Sequence, residues 1–286
     1  MLYDYIMFFN ENDVLDIRLN QHAPYVDKFV VVEAGQTHMG DPKPYHFDKE
    51  RFKHFGDKII YRQIDSLDDM IEEYQAKGLK TWADSSNVHH NRSWLREEYQ
   101  TNYCFTVFNE IGVKDDDYVM WGGLDEIMRA EQFERAFEIL SKEKDRDALI
   151  TFEWELRAYK LNLFSHVGHG TNLNKYGVWK HVAPNVLRAN DIYTHSVGSP
   201  TGDPIGWHFT FLSKDAKNLL YKYNSFTHGY HCRKELPAGF TELNEEAALV
   251  KVFKDYNLKA CPTDTLPKYI IDNMELFKDY IWEEKQ

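Results

Sequence analysis

The sequence predicts an α/β fold in which a mostly parallel central sheet is flanked by helices. Short apolar runs, typical of strands buried on both faces, alternate with segments whose apolar residues recur at helical spacing. The clearest run is Phe-Val-Val-Val at residues 29–32. Strands that alternate with helices usually pair in parallel, because each crossover returns the chain to the same end of the sheet. A helical section is expected at the C-terminal end.

The predicted elements follow one another regularly through the first 152 residues. Strands are expected over residues 3–9, 29–32, 58–61, 118–121 and 148–152, and helices over residues 14–23, 91–111, 130–142, 242–256 and from 267 onward. Residues 65–91 show too weak a periodicity for an assignment. Residues 165–207 contain six of the 15 glycines and are expected to be rich in loops. We expect one domain over residues 1–240, with residues 241–286 packed on it as a helical extension.

The charge balance argues against nucleic acid as a partner. The 34 Lys and Arg residues stand against 46 Asp and Glu residues, and a net charge of −12 repels phosphate backbones. Cys104, Cys232 and Cys261 are widely spaced and odd in number, as expected of free thiols in a reducing compartment. The apolar run at residues 1–10 is too short to span a bilayer and lacks a preceding basic segment. We therefore expect a cytoplasmic protein with no membrane span in this chain.

Two predicted strands end in acidic residues. One strand leads to Glu33, and the other leads through a pair of glycines to Asp125 and Glu126. Ligands of open α/β sheets bind at the carboxyl ends of strands, and glycines there let a ligand approach the backbone. A carboxylate in that position can hold a divalent cation, which neutralises a diphosphate. Alternatively, Asp125 and Glu126 cap a helix that begins near Arg129.

Histidines beside aromatic residues give a second, weaker signal. His208 lies in Gly-Trp-His-Phe at residues 206–209, and His228 lies in Ser-Phe-Thr-His at residues 225–228. A single such histidine is more often a packed core residue than a ligand, but two of them after a glycine-rich region favour a site. The sequence contains no GxGxxG, P-loop, HExxH or GxSxG motif. This absence argues against dehydrogenases, P-loop kinases and α/β-hydrolases.

The order of these segments resembles glycosyltransferase family 17, the family of the β-1,4-mannosyl-glycoprotein β-1,4-N-acetylglucosaminyltransferase that adds bisecting N-acetylglucosamine. The resemblance covers most of residues 1 to about 235. It rests on residues 3–11, 15–20, 26–34, 37–47, 94–100, 124–127, 206–209 and 225–228.

The resemblance implies a GT-A-like fold and an inverting transferase. A sugar, possibly GlcNAc, would pass from a nucleotide-diphosphate donor such as UDP-GlcNAc to a glycan hydroxyl, with Mn²⁺ as the expected cofactor. Inversion needs a general base for the acceptor hydroxyl and positive charge beside the leaving diphosphate. The expected catalytic residues, in order of preference as the base, are Glu126, Asp125 and His208. The expected donor-binding residues are Glu33, Asp125, Arg96 and Trp207, and the expected metal ligands are Asp125, His208 and His228.

One position departs from the family pattern. The family usually has an Asp two residues before Asp125, and this chain has Gly123 there. Metal binding would then rest on Asp125, with help from His208 or His228. The alternative function is a catalytically impaired protein that binds a nucleotide sugar or a carbohydrate, for which the chain's 18 Phe, 18 Tyr and 7 Trp residues offer stacking surfaces.

Overall fold

The computed structural model describes residues 1–77, 92–130, 132–142, 150–180, 195–197 and 206–283. Its N-terminal half alternates strands and helices as predicted. The strands are β1 (Leu2–Phe8), β2 (Lys28–Ala34), β3 (Ile59–Ile64) and β4 (Tyr118–Trp121). The helices are α1 (Asn12–His22), α2 (Lys49–Phe52), α3 (Leu67–Ala76) and α4 (Arg92–Ile111). Strand β1 pairs in parallel with both β2 and β4, and β2 pairs in parallel with β3.

The second half of the sheet changes direction. It contains β5 (Glu126–Met128), β6 (Ile150–Ala158), β7 (Leu163–Lys175), β8 (His195–Val197) and β9 (Gly206–Thr210), with α5 (Gln132–Lys142) and α6 (Tyr176–Trp179). Strand β7 pairs antiparallel with β4 and β6, and β5 pairs antiparallel with β9. Strands β8 and β9 pair in parallel with β6. The sheet is therefore mixed, and the expectation of a mostly parallel sheet is corrected.

Strand β7 also corrects the loop-rich assignment of residues 165–207. It runs for 13 residues and is hydrogen-bonded on both sides, to β4 and to β6. Its glycines, Gly168 and Gly170, lie against the Trp154 ring and the Glu126 carboxylate respectively. Close neighbours of this kind leave no room for a side chain at these two positions. The glycines therefore interrupt the apolar pattern that would identify the strand in the sequence. Residues 181–194 and 198–205 of that region lie outside the described residues.

Helices follow again toward the C-terminal end. They are α7 (Ala216–Ser225), α8 (Gly229–Lys234), α9 (Glu245–Tyr256), α10 (Lys268–Asp272) and α11 (Met274–Phe277), with a short strand β10 (Lys259–Ala260) that pairs with β7. Polar caps fix two of the helix starts. The Asp215 carboxylate accepts a hydrogen bond from the Asn218 amide at 2.8 Å, and the Asn244 side chain accepts one from the Ala247 amide at 2.9 Å.

The sheet is buried on both faces, as the apolar runs predicted. On β1, Ile6 and Phe8 belong to a core cluster shared with α1, whereas Tyr3 and Tyr5 belong to a second cluster shared with α4. The period of two along a strand produces this division. Across the described ranges, no helix has the length and apolar character that crossing a bilayer requires.

The C-terminal segment covers α1 on the side away from the sheet. The Tyr280 hydroxyl donates to Asp13 Oδ2 at 2.6 Å, and the Tyr269 hydroxyl donates to Asp16 Oδ2 at 3.2 Å. The Lys160 ammonium donates to three backbone carbonyls, one of which belongs to Asp279. Contacts between the two ends of the sequence thus complete the core.

Candidate functional site

A cavity of about 240 Å³ opens at the carboxyl ends of β1, β2 and β4. Strand β1 lies between the other two, so the direction of strand order reverses at this point, which is where open α/β sheets bind ligands. Polar residues from several elements line the cavity: Glu11, Gln36, His38, Glu97, Asp125, Lys222 and His228. Glu33 and Asp125 do not follow neighbouring strands, because β1 lies between β2 and β4.

Asp125 lies in the turn between β4 and β5 and faces the cavity. His208 Nε2 is 3.4 Å from its Oδ1 atom, and Lys222 Nζ is 3.7 Å from its Oδ2 atom. Burial alone would raise the pKa of Asp125, but the positive field of His208 and Lys222 outweighs it and lowers that pKa well below its usual value. The carboxylate is therefore ionised at neutral pH and stays close to a cation.

Glu126 does not face the cavity. Its side chain is buried, and Thr171 Oγ1 donates a hydrogen bond to its Oε2 atom at 2.7 Å. A Cβ atom on Gly122 would lie 2.7 Å from Glu126 Oε2, and one on Gly170 would lie 3.0 Å from both carboxylate oxygens. The two glycines are needed because the carboxylate fills the space beside them. Glu126 begins β5 rather than a helix, and α5 begins only at residue 132, so the helix-cap alternative is wrong.

A buried guanidinium holds the turn that carries Asp125. Arg18 Nη1 donates to the backbone carbonyls of Gly123 at 2.7 Å, Leu124 at 3.3 Å and Glu126 at 2.7 Å. The other side of the guanidinium forms a bidentate ion pair with Asp4 on β1, with distances of 2.7 and 2.9 Å. Arg18 thus ties the start of the chain to the turn of the site.

His22, one turn further along α1, completes this network. Its Nε2 atom accepts a hydrogen bond from the Met128 amide at 3.0 Å, so its proton must lie on Nδ1, 3.2 Å from Asp4 Oδ2. Burial lowers the pKa of His22, and the neutral ring is the form that fits. Burial would raise the pKa of Asp4, but Arg18 and His22 lower it overall. All three side chains are fully buried.

Glu33 supports the cavity from behind. Its carboxylate is fully buried and accepts four hydrogen bonds, from Lys43 Nζ at 2.7 Å, the His46 amide at 2.6 Å, the Phe47 amide at 3.1 Å and the Tyr61 hydroxyl at 2.7 Å. Lys43 also lines the cavity, and Glu33 does not. In this geometry the carboxylate of Glu33 fixes Lys43 and the 43–47 loop.

Arg96 likewise positions a loop. It forms a bidentate ion pair with Asp68 at 3.0 Å for both contacts and donates to the His38 carbonyl at 2.9 Å. Burial raises the pKa of Asp68, but Arg96 and Arg92 outweigh it and lower that pKa to about 2. Gly40, with φ of +104°, packs on the Arg96 guanidinium, where a Cβ atom would lie 2.8 Å from Nη2. Arg96 therefore holds the loop that brings His38 to the cavity.

The two sequence neighbours Trp207 and His208 point to opposite sides of β9. Trp207 lies in the core, donates from Nε1 to the Thr265 carbonyl at 3.1 Å and stacks under Arg129. His208 turns toward Asp125 and packs edge-on against Trp154, with ring centroids 4.5 Å apart. Within the part of the chain that the structure describes, the His208 Nδ1 atom is buried without a hydrogen-bond partner.

The expected metal ligands are not assembled. Among the side chains that the structure describes, no three acidic, histidine or cysteine residues come together as metal ligands. Asp125 has His208 on one side and the Lys222 ammonium on the other. His228 lines the cavity but packs edge-on against Trp94, with ring centroids 4.6 Å apart. Lys222 Nζ thus lies on the Oδ2 side of the Asp125 carboxylate.

Several residues that line this site were not expected from the sequence, among them Glu11, Glu97 and Lys222. Glu11 follows β1 and forms an ion pair with Lys222 at 3.0 Å. Glu97 lies on α4, and its carboxylate has no hydrogen-bond or ion-pair partner within the described part of the chain. All three lie in or close to segments that resemble the family. In the sequence alone, however, nothing distinguishes them from ordinary charged residues of turns and helices.

Comparisons with known proteins identify the family of this chain. A search of curated proteins finds no match to the chain. Among solved structures, S. aureus TarS (residues 1–349) aligns at 9% identity over 89% of this chain and 79% of that chain, with a TM-score of 0.36. The profile of glycosyltransferase family 17 matches residues 1–246. Since that match spans most of the sequence, the chain belongs to glycosyltransferase family 17.

Proposed function

We propose that this protein has a GT-A-like catalytic domain and transfers a sugar, with UDP-GlcNAc as the first donor to test, to a glycan hydroxyl with inversion. The observation that carries the proposal is the cavity at the carboxyl ends of β1, β2 and β4. It combines apolar walls with an ionised carboxylate, Asp125, and an ammonium, Lys222. Family membership supports glycosyl transfer as the chemistry.

The cavity wall offers an aromatic surface and polar side chains to a nucleotide-sugar donor. Phe9 stacks on Tyr221 with ring centroids 5.4 Å apart and offers an aromatic surface next to Gln36 and His38. Both ring nitrogens of His38 have partners: Gln100 Oε1 lies 2.8 Å from Nε2, and Thr227 Oγ1 lies 3.0 Å from Nδ1. Because an amide oxygen only accepts, Nε2 donates to Gln100. The two contacts fix the His38 ring in the wall of the cavity.

Inverting transfer is a single displacement. The acceptor oxygen bonds to the anomeric carbon as the bond to the diphosphate breaks, and a general base takes the hydroxyl proton. Glu126 lies outside the cavity, and the low pKa of Asp125 makes that carboxylate a weak base. Glu97 lines the cavity and forms no ion pair with any side chain that the structure describes. We therefore assign the base to Glu97, and Asp125 with His208 to the leaving-group side.

The test measures donor turnover and product stereochemistry. The purified protein is incubated with UDP-GlcNAc, UDP-glucose or UDP-galactose and a panel of glycan acceptors, and the anomeric configuration of the product is read by NMR. We expect an inverted product with one of the donors. Glu97→Gln should lower kcat about a hundredfold or more while UDP affinity is kept. The matched control is Glu110→Gln, an exposed position on the same helix.

The alternative function has its own outcome in this experiment. Nucleotide-sugar binding with no transfer and no hydrolysis, for every donor and acceptor offered, would identify a protein that binds donors without turning them over. Gly123, where the family pattern has Asp, is the observation in favour of that alternative. Binding of none of the donors would contradict both functions.

A further inference from the structure

We propose that Lys222, rather than a divalent cation, supplies the positive charge that binds the donor diphosphate in this protein. This inference rests on the proposed function and goes beyond it, because it assigns a role to a residue outside the acidic motif. It starts from the observation that the residues around Asp125 do not suit the divalent cation that the family resemblance implies.

Lys222 projects from α7 into the cavity. Its Nζ atom is 3.0 Å from Glu11 Oε1, 3.7 Å from Asp125 Oδ2 and 5.8 Å from the centroid of the Phe211 ring. The side chain is 18% exposed, and that exposed part belongs to the cavity. The ammonium therefore lies between the turn after β1 and the turn after β4, where a diphosphate at this sheet edge would pass.

Two carboxylates lie close to the Lys222 ammonium. Glu11 Oε1 lies 3.0 Å and Asp125 Oδ2 lies 3.7 Å from its Nζ atom, so both carboxylates face the ammonium. Asp125 and Glu11 thus serve to hold an ammonium in the cavity.

The same neighbours make a poor divalent-cation site. Mg²⁺ and Mn²⁺ prefer several oxygen ligands around one point. Here one Asp125 oxygen faces His208 Nε2, and the other faces Lys222, whose charge repels a second cation. Gly123 offers no side chain, and no set of three ligands forms within the described residues. The side chains around Asp125 therefore favour Lys222, rather than a divalent cation, as the positive charge of the cavity.

Lys222 also has hydrogen-bonding capacity to spare. An ammonium carries three N–H donors, and Glu11 at 3.0 Å takes one of them. The contact with Asp125 at 3.7 Å is longer than a hydrogen bond. On donor binding, Lys222 keeps Glu11 and exchanges the loose Asp125 contact for a phosphate oxygen. His208, 3.4 Å from the other Asp125 oxygen, continues to stabilise that carboxylate.

Calorimetry with UDP tests this assignment on the intact protein. UDP is titrated into the wild type in excess EDTA and again in millimolar Mn²⁺. We expect binding in EDTA, with an affinity that Mn²⁺ changes by less than about threefold. Binding that requires Mn²⁺ would overturn the role of Lys222 and leave the proposed function standing. Binding of UDP in neither buffer would instead remove the proposed function.

A pair of variants measures the contribution of the side chain. Lys222→Met should weaken UDP binding in EDTA about tenfold or more, the usual cost of losing a charged hydrogen bond to a ligand. Lys217→Met, at an exposed position on the same helix, is the control and should bind like the wild type. Melting curves of both variants show whether they fold. Unchanged UDP affinity in a folded Lys222→Met protein would refute the assignment, and the EDTA titration of the wild type decides the question if that variant does not fold.

Discussion

Arg18 Nη1 lies 2.7 Å from the carbonyl oxygen of Gly123, across 105 residues of sequence. A buried cation on the first helix thus holds the turn that brings Asp125 to the cavity. Asp4 balances its charge, and the whole arrangement lies in the core rather than on the surface. The geometry of the site therefore depends on groups that do not line it.

Replacement of Arg18 by Met should destabilise the fold strongly. The change leaves the Asp4 carboxylate buried beside His22 alone and removes a donor from three carbonyls, so we expect a loss of about 3–5 kcal/mol in the free energy of unfolding. Urea unfolding followed by circular dichroism measures it. Arg62→Met, which breaks a surface pair with Glu110, is the control and should change stability by less than about 1 kcal/mol. Equal stability of the two variants would contradict the role given to Arg18.

Asp125→Asn should affect turnover far more than folding. The amide keeps the shape of the side chain, and Lys222 keeps its contact with Glu11, so we expect the melting temperature to fall by no more than about 2–4 °C. Asp125 positions Lys222 and His208 beside the leaving diphosphate, so loss of its charge should lower kcat about a hundredfold. Steady-state kinetics and a melting curve on the same preparation test both parts. Wild-type kcat in the variant would exclude Asp125 from the reaction.

The Glu33→Gln variant distinguishes a structural role of Glu33 from a direct contact between Glu33 and the nucleotide-sugar donor. If the carboxylate fixes Lys43, the neutral amide leaves a buried ammonium without its counter-charge, and unfolding should become easier by about 3–5 kcal/mol. Glu50→Gln, at an exposed surface pair, should cost less than about 1 kcal/mol. Chemical unfolding gives the stability, and calorimetry with UDP at 10 °C gives the affinity. A stable variant that no longer binds UDP would favour a direct contact with the donor.

His22 should make stability fall as the pH drops below about 6.5. Burial lowers its pKa in the folded protein, whereas the unfolded chain titrates near 6.5, so in this range the unfolded state binds more protons. Between pH 8 and pH 5.5 this residue can remove up to about 1.4 kcal/mol. His22→Gln should reduce the pH dependence by that amount, and exposed His54→Gln should not. An unchanged pH dependence in the His22 variant would show that the ring titrates alike in the folded and the unfolded protein.

Gly123→Asp tests whether the family's missing acid restores a metal site. A Cβ atom at this position would lie 2.7 Å from Asp125 Oδ1, so the Asp125 carboxylate must rotate to admit it. Two adjacent carboxylates should repel each other in EDTA and bind Mn²⁺ more tightly than the wild type. Thermal shift with and without Mn²⁺ measures both effects, and Gly123→Asn is the uncharged control. Equal Mn²⁺ responses in the two variants would show that a second acid cannot complete the site.

The sequence predicted the strands of the first half well because their signal is local. Phe29 to Val32 form a continuous apolar run, and burial on both faces of the sheet is what such a run requires. Strand β7 was missed because its stability comes from pairing with β4 and β6, while its own residues include Gly168 and Gly170. The partners on β4 lie more than 50 residues away in the sequence and leave no pattern in a short window.

The cavity lies at the strand ends where a site was expected, but the sequence indicated only some of the side chains that line it. Asp125 was expected from its position after a strand, and it lines the cavity. Glu33 and Arg96 looked equally suitable in sequence, because their partners Lys43 and Asp68 become neighbours only in the folded chain. Lys222 was missed for the same reason, since its contacts with Glu11 and Asp125 span 211 and 97 residues. Sequence position identifies a strand end, whereas a side chain's role depends on which partners it meets.

The hydroxyls of Tyr280 and Tyr269, which bond to acids on α1, have a consequence for the order of synthesis. Asp13 emerges from the ribosome 267 residues before the tyrosine that covers it. At about 5–20 residues per second, the outer face of α1 stays uncovered for more than about 10 s in every round of translation. During that interval the nascent protein presents an unfinished surface to chaperones and proteases. Synonymous codons that slow translation after α1 should therefore lower the yield of folded enzyme, while a faster passage to the last helices should raise it.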